Sequence, residues 1–443
     1  MNKQKLMIMI ASVFAGAFIL PAGAIDLSLN DAVEKIVSES HDLKKADANL
    51  KKAEASLDSA NASRWFKLDG SVSYMNLVNL ENPSESKTID LPPALGGLIS
   101  ESLKDQSVTI SIPDNIFQAG ISLTQPIYTF GKIGNAVKSV KSAIKMSAAS
   151  KEMTLREVKY AAADLYWTAK MTDEVVKLAK QDLANARAAK KSLTSAGRAN
   201  RSNLLKIESD IASKEINVSD AEFNRDTAYR MLKIMAGIDA TETLVLTDNF
   251  PQTFDALNAG ELKTTPQWEI LGEQVNMYER LARSKRANAY PTLAATANYS
   301  YMTLSEDMGH MFDKKGSQSA YWGLALQLPI FSGGVNRANA TVEAMNAIAA
   351  QQDLDKAKKL TTEQYNNAIA QYDRLRGNLE TLTKARDLAS QTYKLSQNRF
   401  ASGQTSAIEL ADVSAGLYQL DIALLNTKYR ILMSAESVKK LGE

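Results

Sequence analysis

The chain has 443 residues, 45% of them hydrophobic, with 52 Lys and Arg against 50 Asp and Glu and no cysteine. The missing cysteine excludes disulfides, thiolate metal sites, a cysteine nucleophile and a lipid-modified N-terminal Cys. A net charge of +2 provides no bulk field for nucleic acid or an anionic surface.

Residues 1–24 carry a basic start at Lys3 and Lys5, an apolar run from Leu6 to Leu20 and the small-residue end Ala22-Gly23-Ala24. The run is shorter than the roughly 20 residues of a spanning helix. It reads as a secretory signal cleaved before Ile25, and loss of the two lysines makes the mature chain formally neutral.

A helix is predicted from His41 to Arg64, with Leu43, Ala46, Leu50, Ala53, Leu57 and Ala60 at 3-4 spacing. A strand follows from Leu68 to Asn76, then a Ser-, Pro- and Gly-rich loop from Leu77 to Ile116. The next strand alternates cleanly, with Phe117, Ala119, Ile121, Leu123 and Ile127 on one face and Gln118, Gly120, Ser122 and Thr124 on the other. Such alternation suits a strand with lipid on one side and water on the other.

The long helix, Asn135 to Ser195, keeps strict 3-4 spacing from Leu155 to Leu193, and only Thr172 and Lys190 break its apolar stripe. A 3.5-residue period held over that length predicts a supercoiled seam. Its many Ala residues let neighbouring backbones approach closely, which suits a wall of many helices. Ser195-Ala196-Gly197 predicts a left-handed helix end, with Asn200 capping a returning helix from Ser202 to Ala236. Gly237 to Thr265 then interrupts the heptads.

From Pro266 the pattern begins again. A helix to Ala289 keeps Trp268, Leu271, Val275, Tyr278 and Ala282 in register, and the strand Leu293 to Met302 ends in aromatics as the first one does. A polar loop from Thr303 to Ser319 precedes a strand alternating from Ala320 to Ile330. A long helix from Ala338 to Ala401 turns at Gly403 into a helix from Ser406 to Lys440. Tyr74 falls on Tyr299, Pro126 on Pro329 and Gly197 on Gly403, so the chain is a duplicated unit. In each repeat two short helices end to end match the long one of about 61 to 64 residues, or roughly 90 Å, so one chain supplies four full-length rows.

Four strands cannot close a barrel, since the smallest outer-membrane barrels need about eight and an open edge in lipid leaves backbone groups unpaired. Oligomerisation is therefore required, and spacing alone leaves two, three or four copies open. His41 and His310 have no ligand spacing, and no phosphate loop or nucleophile elbow appears, so no cofactor, metal or catalytic residue is expected. A passive export duct fits best. A periplasmic coiled-coil scaffold is the alternative, although it would not need paired strands, and a hydrolytic enzyme ranks third.

Gln125-Pro126-Ile127-Tyr128-Thr129-Phe130-Gly131, Leu328-Pro329-Ile330-Phe331-Ser332-Gly333-Gly334 and Arg399-Phe400-Ala401-Ser402-Gly403 leading into Glu409-Leu410 resemble the outer membrane efflux protein family, the TolC-like ducts of tripartite drug pumps and type I secretion. The resemblance implies a mainly α fold with a small β part: a homotrimer with a 12-strand barrel in outer-membrane lipid, continuous with a helical coiled-coil tunnel through the periplasm. Residues 25–236 and 266–443 would be the repeats. Residues 237–265, with the C-terminal tail, would form an equatorial collar.

The resemblance also implies a periplasmic adaptor and an inner-membrane transporter as partners. The adaptor would dock at tips containing Gly197, Arg198, Arg201, Gly403 and Gln404. An acidic ring of Glu409 and Asp412 would sit at the entrance, although Glu409 also fits a capping box with Ser406. Where family members can have a Tyr, an Arg and an Asp linking neighbouring helices at this gate, the chain has Phe400, Thr405 and Asn203. Closure would then rest on packing, or on Arg198 and Arg201 reaching the carboxylates.

Overall fold

A computed structural model describes residues 25–76, 115–195, 200–305 and 316–442. The predicted signal, most of the first outer loop, residues 306–315 with His310, and the turn residues Gly197 and Arg198 lie outside them. The elements are β1 (Ile25–Leu27), α1 (Leu29–Glu39), α2 (His41–Ala62), β2 (Lys67–Asn76), β3 (Asn115–Tyr128), α3 (Lys132–Ser195), α4 (Arg201–Met235), β4 (Leu244–Leu246), α5 (Pro266–Ala287), β5 (Thr292–Ser305), β6 (Ser317–Gln327), α6 (Val335–Ser402) and α7 (Ala407–Gly442). No described helix is long and apolar enough to cross a membrane. The chain divides into two compact units, whose boundaries fall inside α2, α3, α5 and α6.

The first unit comprises residues 1–50, 146–271 and 352–443. All twelve predicted seam positions of α3 are buried or half-buried. The seam of α6, which its Ala, Ser, Thr and Tyr residues conceal in the sequence, is buried at Leu354, Ala357, Thr361, Tyr372, Leu375 and Leu379, and again at Tyr393, Ser396 and Phe400.

The segment after Gly237 forms more than a break in the heptads. Its β4 pairs in parallel with β1, Ile25 opposite Leu244, so the segment that follows the predicted signal joins the predicted collar. Three residues from one strand and three from another give the sequence almost no periodicity to read. Ser28 and Asp31 cap α1 reciprocally, and the Asp248 carboxylate accepts from the Leu29 N–H at 2.7 Å. Tyr166 of α3 is fully buried beside Leu27, Ile36 and Leu232, each worth roughly 1.5–3 kcal/mol of apolar burial. Its hydroxyl accepts from the Asp248 N–H at 3.1 Å and donates to the Asp248 carboxylate at 2.8 Å. Further on, Tyr372 and Tyr365 of α6 donate to the carbonyls of Asp255 and Gly260 at 2.7 and 3.0 Å, tying the irregular strap to the long helix.

The second unit comprises residues 51–145 and 272–351, and its strands form one antiparallel sheet in the order β2-β3-β5-β6. Register places Leu68 opposite Leu123, Tyr74 opposite Phe117, Ile121 opposite Tyr299 and Ala297 opposite Trp322. Directly opposed residues share a face, so these line one apolar side. The other side carries Lys67, Ser71, Ser122, Asn298 and Ser319. The apolar face is bare: Val72 is 74% exposed and Trp322 86%.

Some boundaries differ from those predicted. β6 ends at Gln327, opposite Thr292, the first residue of β5. Leu328 and Ile330 therefore lie past the ladder, where Pro329 has no N–H to donate. Pro126 likewise marks a register shift before Tyr128. At the outer end Thr303 and Ser305 belong to β5, which shortens that loop. Both long helices begin three residues early, at Lys132 and Val335, directly after left-handed pairs. Phe130 (φ 49) with Gly131 (φ 84) matches Gly333 (φ 57) with Gly334 (φ 80). A non-glycine residue there is costly. Phe130 is held by an edge contact to Tyr128 and stacking on Tyr290, with centroids 4.6 and 6.0 Å apart.

Candidate functional site

The helix ends at the predicted entrance close as their sequences require. At the end of α6, the Gly403 N–H donates to the Phe400 carbonyl at 3.0 Å and the Gln404 N–H to the Arg399 carbonyl at 2.8 Å. With Gly403 at φ +81, this is a Schellman end, in which a left-handed residue lets the chain satisfy the last carbonyls. Valine at 403 is expected to strain this turn by about 1–2 kcal/mol and to weaken adaptor pull-down while the barrel still inserts. Unchanged pull-down and efflux in a Gly403→Val strain would contradict that assignment.

The returning helices are capped by polar side chains. Asn200 accepts from the Ser202 N–H at 2.8 Å, and Ser406 Oγ accepts from the Glu409 N–H at 3.2 Å. The Glu409 side chain has no hydrogen bond or ion pair among the described residues, so the predicted capping box is present only in its Ser406 half. Glu409 and Asp412 both lie exposed on α7, three residues apart.

The other candidates divide by burial. Phe400 is 7% exposed and packs with Leu193, Ile207, Tyr393, Ala407 and Leu410. It holds α3, α4, α6 and α7 together, while Asn203 and Thr405 are half-buried at the edge and Arg201 and Gln404 are exposed.

Behind this apolar cluster lies a buried polar one that sequence reading missed. Asp182 of α3 and Lys214 of α4 form an ion pair at 2.5 Å, with side chains 9% and 6% exposed. Ser414 of α7 donates to the other carboxylate oxygen at 2.8 Å. A single carboxylate thus binds three helices. Asp210 and Tyr393 border it, and a cavity of about 20 Å³ separates Asp210, Tyr393 and Ser414, room for about one water. Burial raises the Asp210 carboxyl above its ordinary value, against the pull of Lys214, while Asp182 and Asp412 add to the rise. Burial, then Asp182, pushes Tyr393 upward as well. In sequence these residues look like ordinary heptad-flanking charges, and only Asp182, one residue before seam position Leu183, gives a faint signal.

Among the described residues no group of His, Asp and Glu is arranged to hold a metal ion.

The pattern of the family described as "Outer membrane efflux protein" matches residues 32–237 and 273–441. Outer membrane protein OprJ of Pseudomonas aeruginosa is 27% identical over 141 residues, 32% of this chain and 29% of that protein. The alignment therefore spans less than a third of that relative. The fold is similar to the outer membrane channel CmeC of Campylobacter jejuni, with a TM-score of 0.75 and 18% identity over 93% of this chain and 85% of that one. The outer membrane protein VceC of Vibrio cholerae gives 0.74 and 17% over 94% and 96%. With its family pattern matched across both repeats, the chain belongs to the outer membrane efflux protein family.

Proposed function

We propose that the chain is the passive exit duct of a tripartite export system, assembled as a homotrimer and carrying small molecules or secreted proteins from an inner-membrane transporter to the exterior. The open four-stranded sheet carries this reading. Among the described residues β2 and β6 each have one unpaired edge, and exposed edges cannot remain in lipid. Three copies give 12 strands, within the range of closed outer-membrane barrels.

The helices support the same assembly. Ile216 and Phe223 on α4, and Leu388 and Leu395 on α6, are seven residues apart and 62–67% exposed. Apolar residues at heptad spacing form half a coiled-coil seam, and a second copy supplies the other half. A periplasmic adaptor would engage the tips around Gly197, Arg198, Arg201, Gly403 and Gln404. Glu409 and Asp412, three copies of each, would ring the entrance. Phe400 would hold the closed tip by packing, with Asn203 and Thr405 beside it. A periplasmic scaffold would have no use for a bare apolar sheet face.

Cysteine pairs placed across the β2–β6 edges should crosslink to trimers in native outer membranes. Capture of monomers alone would remove the duct reading.

A further inference from the structure

The mature chain is neutral overall, yet its charge is unevenly spread. The four junctions between barrel strand and helix, residues 59–68, 126–141, 280–292 and 327–342, contain ten Lys or Arg and no Asp or Glu. Lys67 pairs with Asp69 and Arg283 with Glu279. Arg64, Lys132, Lys285, Arg286 and Arg337 have no ion pair among the described residues, and all but half-buried Lys285 are exposed.

At the starts of α3 and α6 the helices give no local reason for these charges, whereas Lys285 and Arg286 lie in the last turn of α5, where the helix dipole favours cations. Lys132 opens α3 and Arg337 lies in the first turn of α6, and neither first turn contains an acid. The positive end of a helix dipole disfavours cations there.

Aromatic side chains stand at the same junctions. Trp65 is 71% and Phe331 89% exposed, and Phe66, Tyr128 and Tyr290 are exposed as well. Phe66 precedes Leu68 by two residues and so continues the apolar face of the sheet. From strand to helix the surface passes from bare aliphatic side chains, through aromatics, to unpaired cations. A bilayer presents the matching sequence of hydrocarbon, interface and phosphate.

We propose that this basic girdle binds anionic phospholipid headgroups in the periplasmic leaflet of the outer membrane. Arg64, Arg286 and Arg337 offer forked donors that fit phosphate oxygens, and Lys132 and Lys285 act as point charges. The proposal rests on the outer-membrane location and does not require the tripartite reading.

The test uses full-length protein in phosphatidylcholine bilayers containing spin-labelled phosphatidylglycerol or spin-labelled phosphatidylcholine. Wild type should prefer the anionic lipid by about tenfold, since each basic residue near a membrane surface contributes appreciably. Arg64→Gln, Lys132→Gln, Lys285→Gln, Arg286→Gln and Arg337→Gln combined should abolish the preference. Exchanging Arg for Lys and Lys for Arg at the same positions should retain it. Equal affinity for both lipids in wild type would overturn the proposal, as would full preference in the glutamine variant. Loss of the preference on adding inorganic phosphate would also overturn it, by identifying a free-anion site. Single-channel conductance of the same samples reports on the duct separately.

Discussion

Replacing Asp182 by Ala should produce the largest loss of any single change in the helical wall. Lys214 would remain 6% exposed without its carboxylate, and the Ser414 hydroxyl would lose its acceptor. Breaking one partner of a buried pair costs about 3–5 kcal/mol, because the surviving charge is desolvated and uncompensated. The loss falls on the contact between α7 and the α3–α4 hairpin, so the proposed trimer should dissociate at lower temperature and show raised background conductance in planar bilayers. An apolar pair, Asp182→Leu with Lys214→Met, should recover most of the stability, because exchanging a buried ion pair for packed hydrophobic groups is often neutral. If the Ala variant matches wild type in both measurements, the network holds nothing in register.

Removing both carboxylates of the proposed entrance, Glu409 and Asp412, should alter selectivity without altering assembly. Six crowded carboxylates in a trimer would attract multivalent cations and repel anions at the tip, with an influence fading over a Debye length of about 8 Å. Glu409→Ala with Asp412→Ala should therefore reduce cation selectivity and abolish block by a trivalent cation from the periplasmic side. The helix end should survive, since Ser406 caps through the Glu409 backbone N–H, which alanine keeps. Unchanged selectivity would remove both residues from the gate and leave the duct intact.

Much of this architecture is legible in sequence because two periods, 2 and 3.5, run long enough to accumulate. The α3 seam and the β3 alternation each repeat many times, and duplication displays them again. The β1–β4 pairing escaped because the two strands are three residues each and are joined by tertiary contact alone. The α6 seam was hidden by its composition: Thr361, Tyr365 and Ser396 are buried, but do not register as apolar. The turns at Gly403 and Asn200 could be read from local chemistry. The Asp182–Lys214–Ser414 cluster could not, because it joins residues 32 and 232 positions apart, a relation no periodicity encodes.

The central pairing of the sheet has a consequence for how the chain comes to be folded. β3 meets β5 along its whole length, with Asn115 opposite Ser305, so repeats that look self-contained in sequence are stitched together at their strands. Each repeat can close its own hairpin, β2 with β3 and β5 with β6, but neither can build the sheet. A little over two-thirds of the chain, through Ser305 of 443 residues, must be available before the whole middle ladder can form. Contacts of such long sequence separation form slowly. Nascent chain that has delivered only its first half must therefore carry an apolar hairpin without its partner.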